Sequence, residues 1–241
     1  MAAKIIMVAS GKGGTGKSTV SVFTGCELAA QGARVLLIEL DSGLRSVDIM
    51  AGVSGEAVYD IADILSGRCP VEKAVLQSTL YPGFFVICAP YSGGDVKPEA
   101  LAAVCKTIGK EFDYILIDTA AGLGAPFVAA MAVANMALLI STPDKICLRD
   151  ARLVADQLFG KGIPCRLIIN RLVADNVQKA GLRDLDECID TAGAQLIGIL
   201  PQDTQIHLAS ATGAPLPPSC KVFFSSIARR IRGEYVPLNI Y

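Results

Sequence analysis

Short runs of consecutive aliphatic and β-branched residues recur along the chain at 4–9, 34–38, 84–88, 114–118, 136–140, 165–170 and 195–200. They are continuously apolar rather than alternating, so each predicts a strand covered on both faces, as in parallel sheets. Helix-length stretches lie between them at 18–30, 98–110, 125–134, 145–159 and 182–192, with Gly32 and Gly160 placed as stops. Strand and helix in alternation predict an α/β fold, a doubly wound and mostly parallel sheet flanked by helices and joined by right-handed crossovers. Ligands of such a sheet bind at the carboxyl ends of its strands.

Composition narrows this picture. The 241 residues fit one large α/β domain, 1–241, in which 228–241 form a closing helix and short tail. Hydrophobic residues at 52% supply a core for a sheet covered on both sides. Lysine and arginine number 22 against 23 acidic residues, so no overall basic field favours nucleic acid or anionic lipid, and no specific nucleic acid is expected. Eight cysteines are scattered without a CxxC pair, and His207 is the only histidine. That argues against a zinc site or a cysteine-held cluster within one chain and favours small buried thiols in a reducing cytosol. The first strand begins at once and no apolar run has membrane-span length, so the expected location is the cytoplasm.

The segment Gly11-Lys12-Gly13-Gly14-Thr15-Gly16-Lys17-Ser18 matches G-x-x-x-x-G-K-[ST], follows a predicted strand and opens a predicted helix. Glycines let the backbone curl so that successive N–H groups face phosphate oxygens, and the helix adds its positive end. Lys17 then bridges the β- and γ-phosphates and Ser18, followed by Thr19, stands at the magnesium position. The expected fold is therefore that of a P-loop NTPase, with ATP/ADP and Mg2+ as ligands.

Lys12, a second lysine directly after the first glycine, is not required by an ordinary phosphate loop. With it, K-G-G-T-G-K-S resembles the deviant Walker A motif of the MinD/ParA family of ATPases. The resemblance implies a sandwich homodimer formed with ATP, in which this lysine reaches the partner's nucleotide. After the second strand, Glu39-Leu40-Asp41-Ser42-Gly43-Leu44-Arg45-Ser46-Val47-Asp48 is similar to the switch I segment of the MinD group, D-x-D-I-G-L-R-N-L-D. Asp41 falls on the family's water-positioning carboxylate, near the metal. Glu39 stands where an aspartate is usual. Ile115-Leu116-Ile117-Asp118 ends an apolar strand in an aspartate and continues Thr119-Ala120-Ala121-Gly122. This reads as a magnesium-holding Asp118 with a Gly122 whose N–H senses a γ-phosphate. The usual D-S-P-A-G is D-T-A-A-G here.

By the same resemblance Asn170 and Arg171 meet the adenine, and Pro201 and Asp203, with the Leu208 to Pro215 segment, close over the base. Leu148-Arg149-Asp150-Ala151-Arg152-Leu153-Val154 is similar to a helix that receives partner proteins in the MinD group, which implies partners of the MinC/MinE kind. His207 reads as a structural or surface residue. The MinD group ends in a lysine-rich amphipathic helix that inserts at membrane surfaces. Here the apolar stripe 223, 224, 227 and 231 with Arg229, Arg230 and Arg232 is expected to belong to the domain's closing helix rather than to lie on lipid. Peripheral attachment at the inner face of the cell membrane stays open.

The resemblance spans nearly the whole chain, from Lys4 to about Gly233. It implies a Mg-dependent ATPase switch that dimerises with ATP and controls spatial positioning, foremost of the cell-division site. Two alternatives stand beside it. One is a soluble positioning ATPase of the same family for flagella or DNA cargo. The other is an Mrp-type iron-sulfur carrier, against which the missing CxxC counts.

Overall fold

The computed structural model describes residues 2–42, 45–91, 96–173 and 183–238. Among these, eight strands form one sheet: β1 (Lys4–Ala9), β2 (Val35–Glu39), β3 (Leu76–Gln77), β4 (Phe84–Ile87), β5 (Tyr114–Asp118), β6 (Met136–Ser141), β7 (Cys165–Leu172) and β8 (Gln195–Pro201). Their order is β3-β4-β2-β5-β1-β6-β7-β8. Every pairing is parallel except the short β3 against β4. The helices are α1 (Lys17–Ala30), α2 (Ser46–Met50), α3 (Ile61–Leu65), α4 (Pro98–Ile108), α5 (Ala125–Val133), α6 (Lys145–Gly160), α7 (Leu185–Ala192), α8 (Thr204–Thr212) and α9 (Pro218–Ile231).

Two hydrophobic layers explain why the strands read as unbroken apolar runs. Successive side chains of β1 go to opposite faces. Met7 and Ala9 pack with residues of α4, α5, α6 and α7, whereas Ile6 and Val8 pack with α1, α2, α8 and α9. Both faces are covered, so no position selects for a polar side chain. α1 is itself buried on most sides, and its Phe23 meets Phe224 of α9 edge to face with ring centroids 5.5 Å apart. The eight cysteines are all buried and free, and burial pushes the thiols of Cys88, Cys105 and Cys165 up to about 12. They behave as small hydrophobes.

The seven expected strands are present with ends within two residues of those read from the sequence. The differences are instructive. α7 starts at Leu185, where Asp184 caps it by accepting the Glu187 N–H at 2.9 Å; the expected start at Leu182 lies outside the described residues. The apolar stripe of α9 faces the sheet, with Phe224, Ile227 and Ile231 buried. Its arginines are engaged in the fold: Arg230 donates to the carbonyls of Ile197, Val236 and Pro237 at 2.9, 3.0 and 2.7 Å, and Arg229 pairs with Glu234. The helix spans Pro218–Ile231, starting ten residues before the expected 228, and Arg230 straps the following residues back onto it. Residues 239–241 of the tail lie outside the described residues. Among the described residues no helix is long and apolar enough to cross a membrane.

Candidate functional site

The carboxyl ends of β1, β2, β5, β7 and β8 converge beside the first turn of α1. The loop from Gly11 to Gly16 leaves β1 and delivers α1 with a left-handed Gly16 (φ 90°) at its N-cap. No side chain caps this helix, so its first N–H groups stay open at a positive helix end. Two glycines are dictated by contact as well as by conformation. A side chain at Gly11 would run into the backbone of Asp150 on α6, and one at Gly16 would meet the amide nitrogen of Asn170. Lys12 is exposed at the loop, and Ser10 Oγ donates to its carbonyl at 2.8 Å. Lys17 is only 6% exposed, yet among the described residues its ammonium has no hydrogen bond or ion pair.

Two adjoining cavities open onto this loop. The first, of 330 Å³, is lined by Gly16, Thr19, Asn170, Arg171, Pro201 and Asp203, and also by Gln202, Ile206, His207 and Ser210. The second, of 240 Å³, is lined by Gly14, Gly16, Lys17, Ser18, Thr19, Asp41 and Arg171, with Ser46, Met50 and Ser210. They share Gly16, Thr19, Arg171 and Ser210, so together they form a groove that runs along the loop. The elongated shape, with a wider end at β7 and β8 and a polar end at Lys17, suits a nucleoside joined to a phosphate chain.

At the wider end the side chains are already committed. Asn170 Nδ2 donates to the Thr15 carbonyl at 2.7 Å, and its Oδ1 accepts the Arg171 N–H at 2.9 Å. Asn170 therefore ties the phosphate loop to β7, a duty beyond the adenine contact expected of it. Arg171 takes a left-handed backbone (φ 56°) at an irregularity in the β7–β8 pairing, which turns it out of the ladder and onto the rim of both cavities. Asp203 caps α8, accepting the N–H groups of Gln205 and Ile206 at 2.6 and 3.3 Å. His207, exposed on the same helix, lines the cavity wall rather than an unrelated surface.

At the polar end the carboxylates are not satisfied. Asp118 is fully buried; Ser21 Oγ donates to its Oδ1 at 3.0 Å, while Oδ2 has no partner. Burial raises its pKa to about 6, against the pull of the nearby Ser18 hydroxyl, the Lys17 ammonium and Ser21. In the β2–β5 register Glu39 stands opposite Asp118. Burial raises Glu39 to about 7, opposed by the Ala89 N–H it accepts at 3.2 Å and reinforced by the charge on Asp118. The buried Thr15 Oγ1 also lacks a partner. Among the described residues no group of three or more His, Cys, Asp or Glu forms a ready-made metal cage. A cation shared with phosphates needs none: magnesium takes one or two carboxylates, a hydroxyl, water and phosphate oxygens. Oxygen donors of that kind are at hand: Ser18 and Asp41 line the second cavity, and Asp118, buried beside Ser18, keeps Oδ2 without a partner.

Gly122 departs from its expected orientation. It turns the chain with a φ of 83°, but its N–H donates to the Ser10 carbonyl at 2.9 Å. It is spent inside the protein in this arrangement, and sensing a phosphate requires that bond to be exchanged. Among the lining residues Met50 and Ile206 belong to no motif; they come in with α2 and α8, which pack against each other.

Comparison with known proteins places these features in context. A family model described as an AAA domain matches residues 3–154. The septum site-determining protein MinD of Synechocystis sp. is 35% identical over 97% of this chain and 91% of its own length. The structure of the MinC:MinD cell division protein complex from Aquifex aeolicus contains a similar chain, with a TM-score of 0.90 at 32% identity, covering 99% of this chain and 100% of the other. The septum site-determining protein MinD of Pyrococcus horikoshii, complexed with Mg-ADP, superposes with a TM-score of 0.84 at 25% identity, covering 95% and 96%.

Proposed function

The chain belongs to the MinD family of septum site-determining proteins, and from that premise we propose that it is a single-domain ATPase switch that dimerises around Mg-ATP and hydrolyses it to set the position of cell division. The observation that carries the reading is the groove that joins an uncapped helix start to Lys17, Ser18 and Asp41, with Asp118 buried beside Ser18 and Lys17 and one of its oxygens without a partner.

Each residue then has a task. The N–H groups of Gly13, Gly14, Thr15 and Gly16, with the start of α1, hold phosphate oxygens. Lys17 neutralises the β- and γ-phosphates from inside the fold, where a charge-assisted contact is strong. Ser18, Asp41 and Asp118 hold magnesium, which withdraws charge from the phosphates when bound. Asp41 orients the attacking water, a positioning role in a reaction governed by geometry and electrostatics. Gly122 reports the γ-phosphate by giving up its bond to Ser10. Asn170, Arg171, Pro201 and Asp203 bound the nucleoside. Exposed Lys12 crosses to the nucleotide of a second copy. Partners of the MinC/MinE kind dock on the surface of α6 that carries Arg149, Arg152 and Leu153. The protein works in the cytoplasm, with peripheral attachment at the inner face of the cell membrane as the alternative that flotation tests.

Light scattering with ADP, with Mg-ATP and with Mg-ATP on Asp41→Ala tests this. The expected result is a monomer, a transient dimer and a trapped dimer, respectively, with Lys12→Ala monomeric throughout but still binding nucleotide. A wild-type monomer under all conditions, or normal dimers of Lys12→Ala, overturns the sandwich mechanism. Flotation of the same samples on anionic vesicles decides the peripheral membrane attachment.

A further inference from the structure

Four residues after Asp41 stands a side chain that is not itself part of the groove's lining. Arg45 is 8% exposed and holds a left-handed backbone (φ 39°) at the N-cap of α2, a conformation that an arginine adopts only under constraint. Its guanidinium supplies the constraint from three directions. Nε donates to the Ala89 carbonyl, Nη2 pairs with Asp60 Oδ2 at 3.2 Å, and the plane stacks on Tyr91, 3.8 Å from the ring centroid.

The receiving frame is fixed in turn. Asp60 Oδ1 accepts the Ala62 and Asp63 N–H groups at 2.9 and 3.1 Å as the cap of α3, and the Ile61 N–H donates to the Cys88 carbonyl at 3.0 Å. Glu39, on the other side of Asp41, accepts the N–H of the same Ala89 peptide at 3.2 Å. Asp41 therefore sits on a span whose two ends, Glu39 and Arg45, grip the N–H and the C=O of one buried residue beyond β4.

We propose that Arg45 and Glu39 are positioning residues that hold Asp41 at its working height over the phosphate loop by clamping both ends of the switch I segment to Ala89. The proposal rests on the reading of Asp41 as the water-orienting carboxylate. Arg45 makes two of its three contacts, to Ala89 and Asp60, through a planar fork that lysine cannot copy, whereas nucleotide affinity comes from Lys17 and the loop, which the clamp does not touch. Loosening the clamp should therefore lower turnover and leave binding alone, because sub-ångström misplacement of a positioning group acts on the transition state.

Single-turnover hydrolysis of Mg-ATP and binding of a fluorescent ADP are measured for Arg45→Ala, Arg45→Lys and Asp60→Asn, the last of which keeps the α3 cap. Arg45→Ala is expected to lose roughly tenfold or more in the hydrolysis rate with ADP affinity within about twofold. Arg45→Lys should recover little, and added guanidinium ion should restore Arg45→Ala in part. Asp60→Asn should show a smaller loss of the same kind, and it carries the test if Arg45→Ala does not fold. Placed on Asp41→Ala, the Arg45→Ala change should have no further effect, since a residue that acts through Asp41 has nothing left to position. Parental turnover of Arg45→Ala or of folded Asp60→Asn, a matching loss of ADP affinity, or full additivity with Asp41→Ala overturns the clamp. Parental hydrolysis by Asp41→Ala alone would instead remove the premise, so the two failures are told apart.

Discussion

The two ends of the groove solve opposite problems. At the β7–β8 end, Asn170 and Asp203 have spent their hydrogen bonds on the protein: one on the Thr15 carbonyl and the Arg171 N–H, the other on the start of α8. That end is finished before any ligand arrives, as a preformed pocket should be. At the β2–β5 end, Lys17 lines the cavity without a hydrogen bond or ion pair among the described residues, Asp118 is buried with one oxygen orphaned, and Glu39 and Asp118 stand opposite one another with raised pKa values. Buried unpaired groups cost free energy, so this end is unstable by construction and is relieved by a cation and a phosphate chain. One end recognises and the other waits, which is the division of labour expected of a switch.

The sharpest way to break the contrast is to remove the waiting cation. Lys17→Ala should weaken ADP and ATP binding on the order of 100-fold, about 3 kcal/mol, because a charged contact in a desolvated site is lost and Asp118 loses the ammonium that opposes its burial. Calorimetric titration with nucleotide reads this directly. Retention of tight binding would mean that the backbone cradle alone holds the phosphates.

The contrast also explains what was legible in the sequence. The polar end is written in short contiguous strings, since Gly11 to Ser18, Asp41 and Asp118 each follow a buried strand at its carboxyl end, where the fold places ligands. The other end is assembled from short segments far apart in sequence, 170–171, 201–203 and 208–215, which only the resemblance ties together, and Ile206 and His207 reach it because α8 forms its wall. The long elements were readable because 14- and 16-residue helices and unbroken apolar strands leave strong periods. The five-residue α2 and α3 and the two-residue β3 are too short for any period and are held by contacts such as the Asp60–Asp63 capping box. The left-handed backbones of Arg45 and Arg171 were equally unreadable, since tertiary contacts impose them.

A second prediction uses pH to weigh the waiting end against the finished one. Glu39 rises from an ordinary 4.5 to about 7 and Asp118 from 3.8 to about 6, mainly through burial. Folded values above unfolded ones mean that the native state holds extra protons. The stability this gives is complete below about pH 4 and is lost as pH climbs through about 6 to 7, on the order of 3 kcal/mol for each group at most. The nucleotide-free protein should thus become less stable between pH 5 and pH 8 in urea unfolding. Mg-ADP should flatten that slope, because a cation beside Asp118 favours its ionised form. A slope unchanged by Mg-ADP would detach Asp118 from the metal. Asn170, at the finished end, contributes nothing in this window, because an amide does not titrate.

The smallest effect belongs to the finished end and separates its structural duty from its ligand duty. Asp203 accepts the Gln205 and Ile206 N–H groups through one oxygen, Oδ1, and is itself part of the cavity lining. Asp203→Ala should cost about 1 kcal/mol in unfolding, the usual loss for an N-cap, and should weaken nucleotide binding because α8 forms a cavity wall. Asp203→Asn keeps a good cap, so it should restore stability to within a few tenths of a kcal/mol. If nucleotide affinity recovers together with stability, Asp203 acts by holding α8. If stability recovers and affinity does not, the charge of Asp203 itself contacts the nucleoside, and this end would then share the unfinished character of the other.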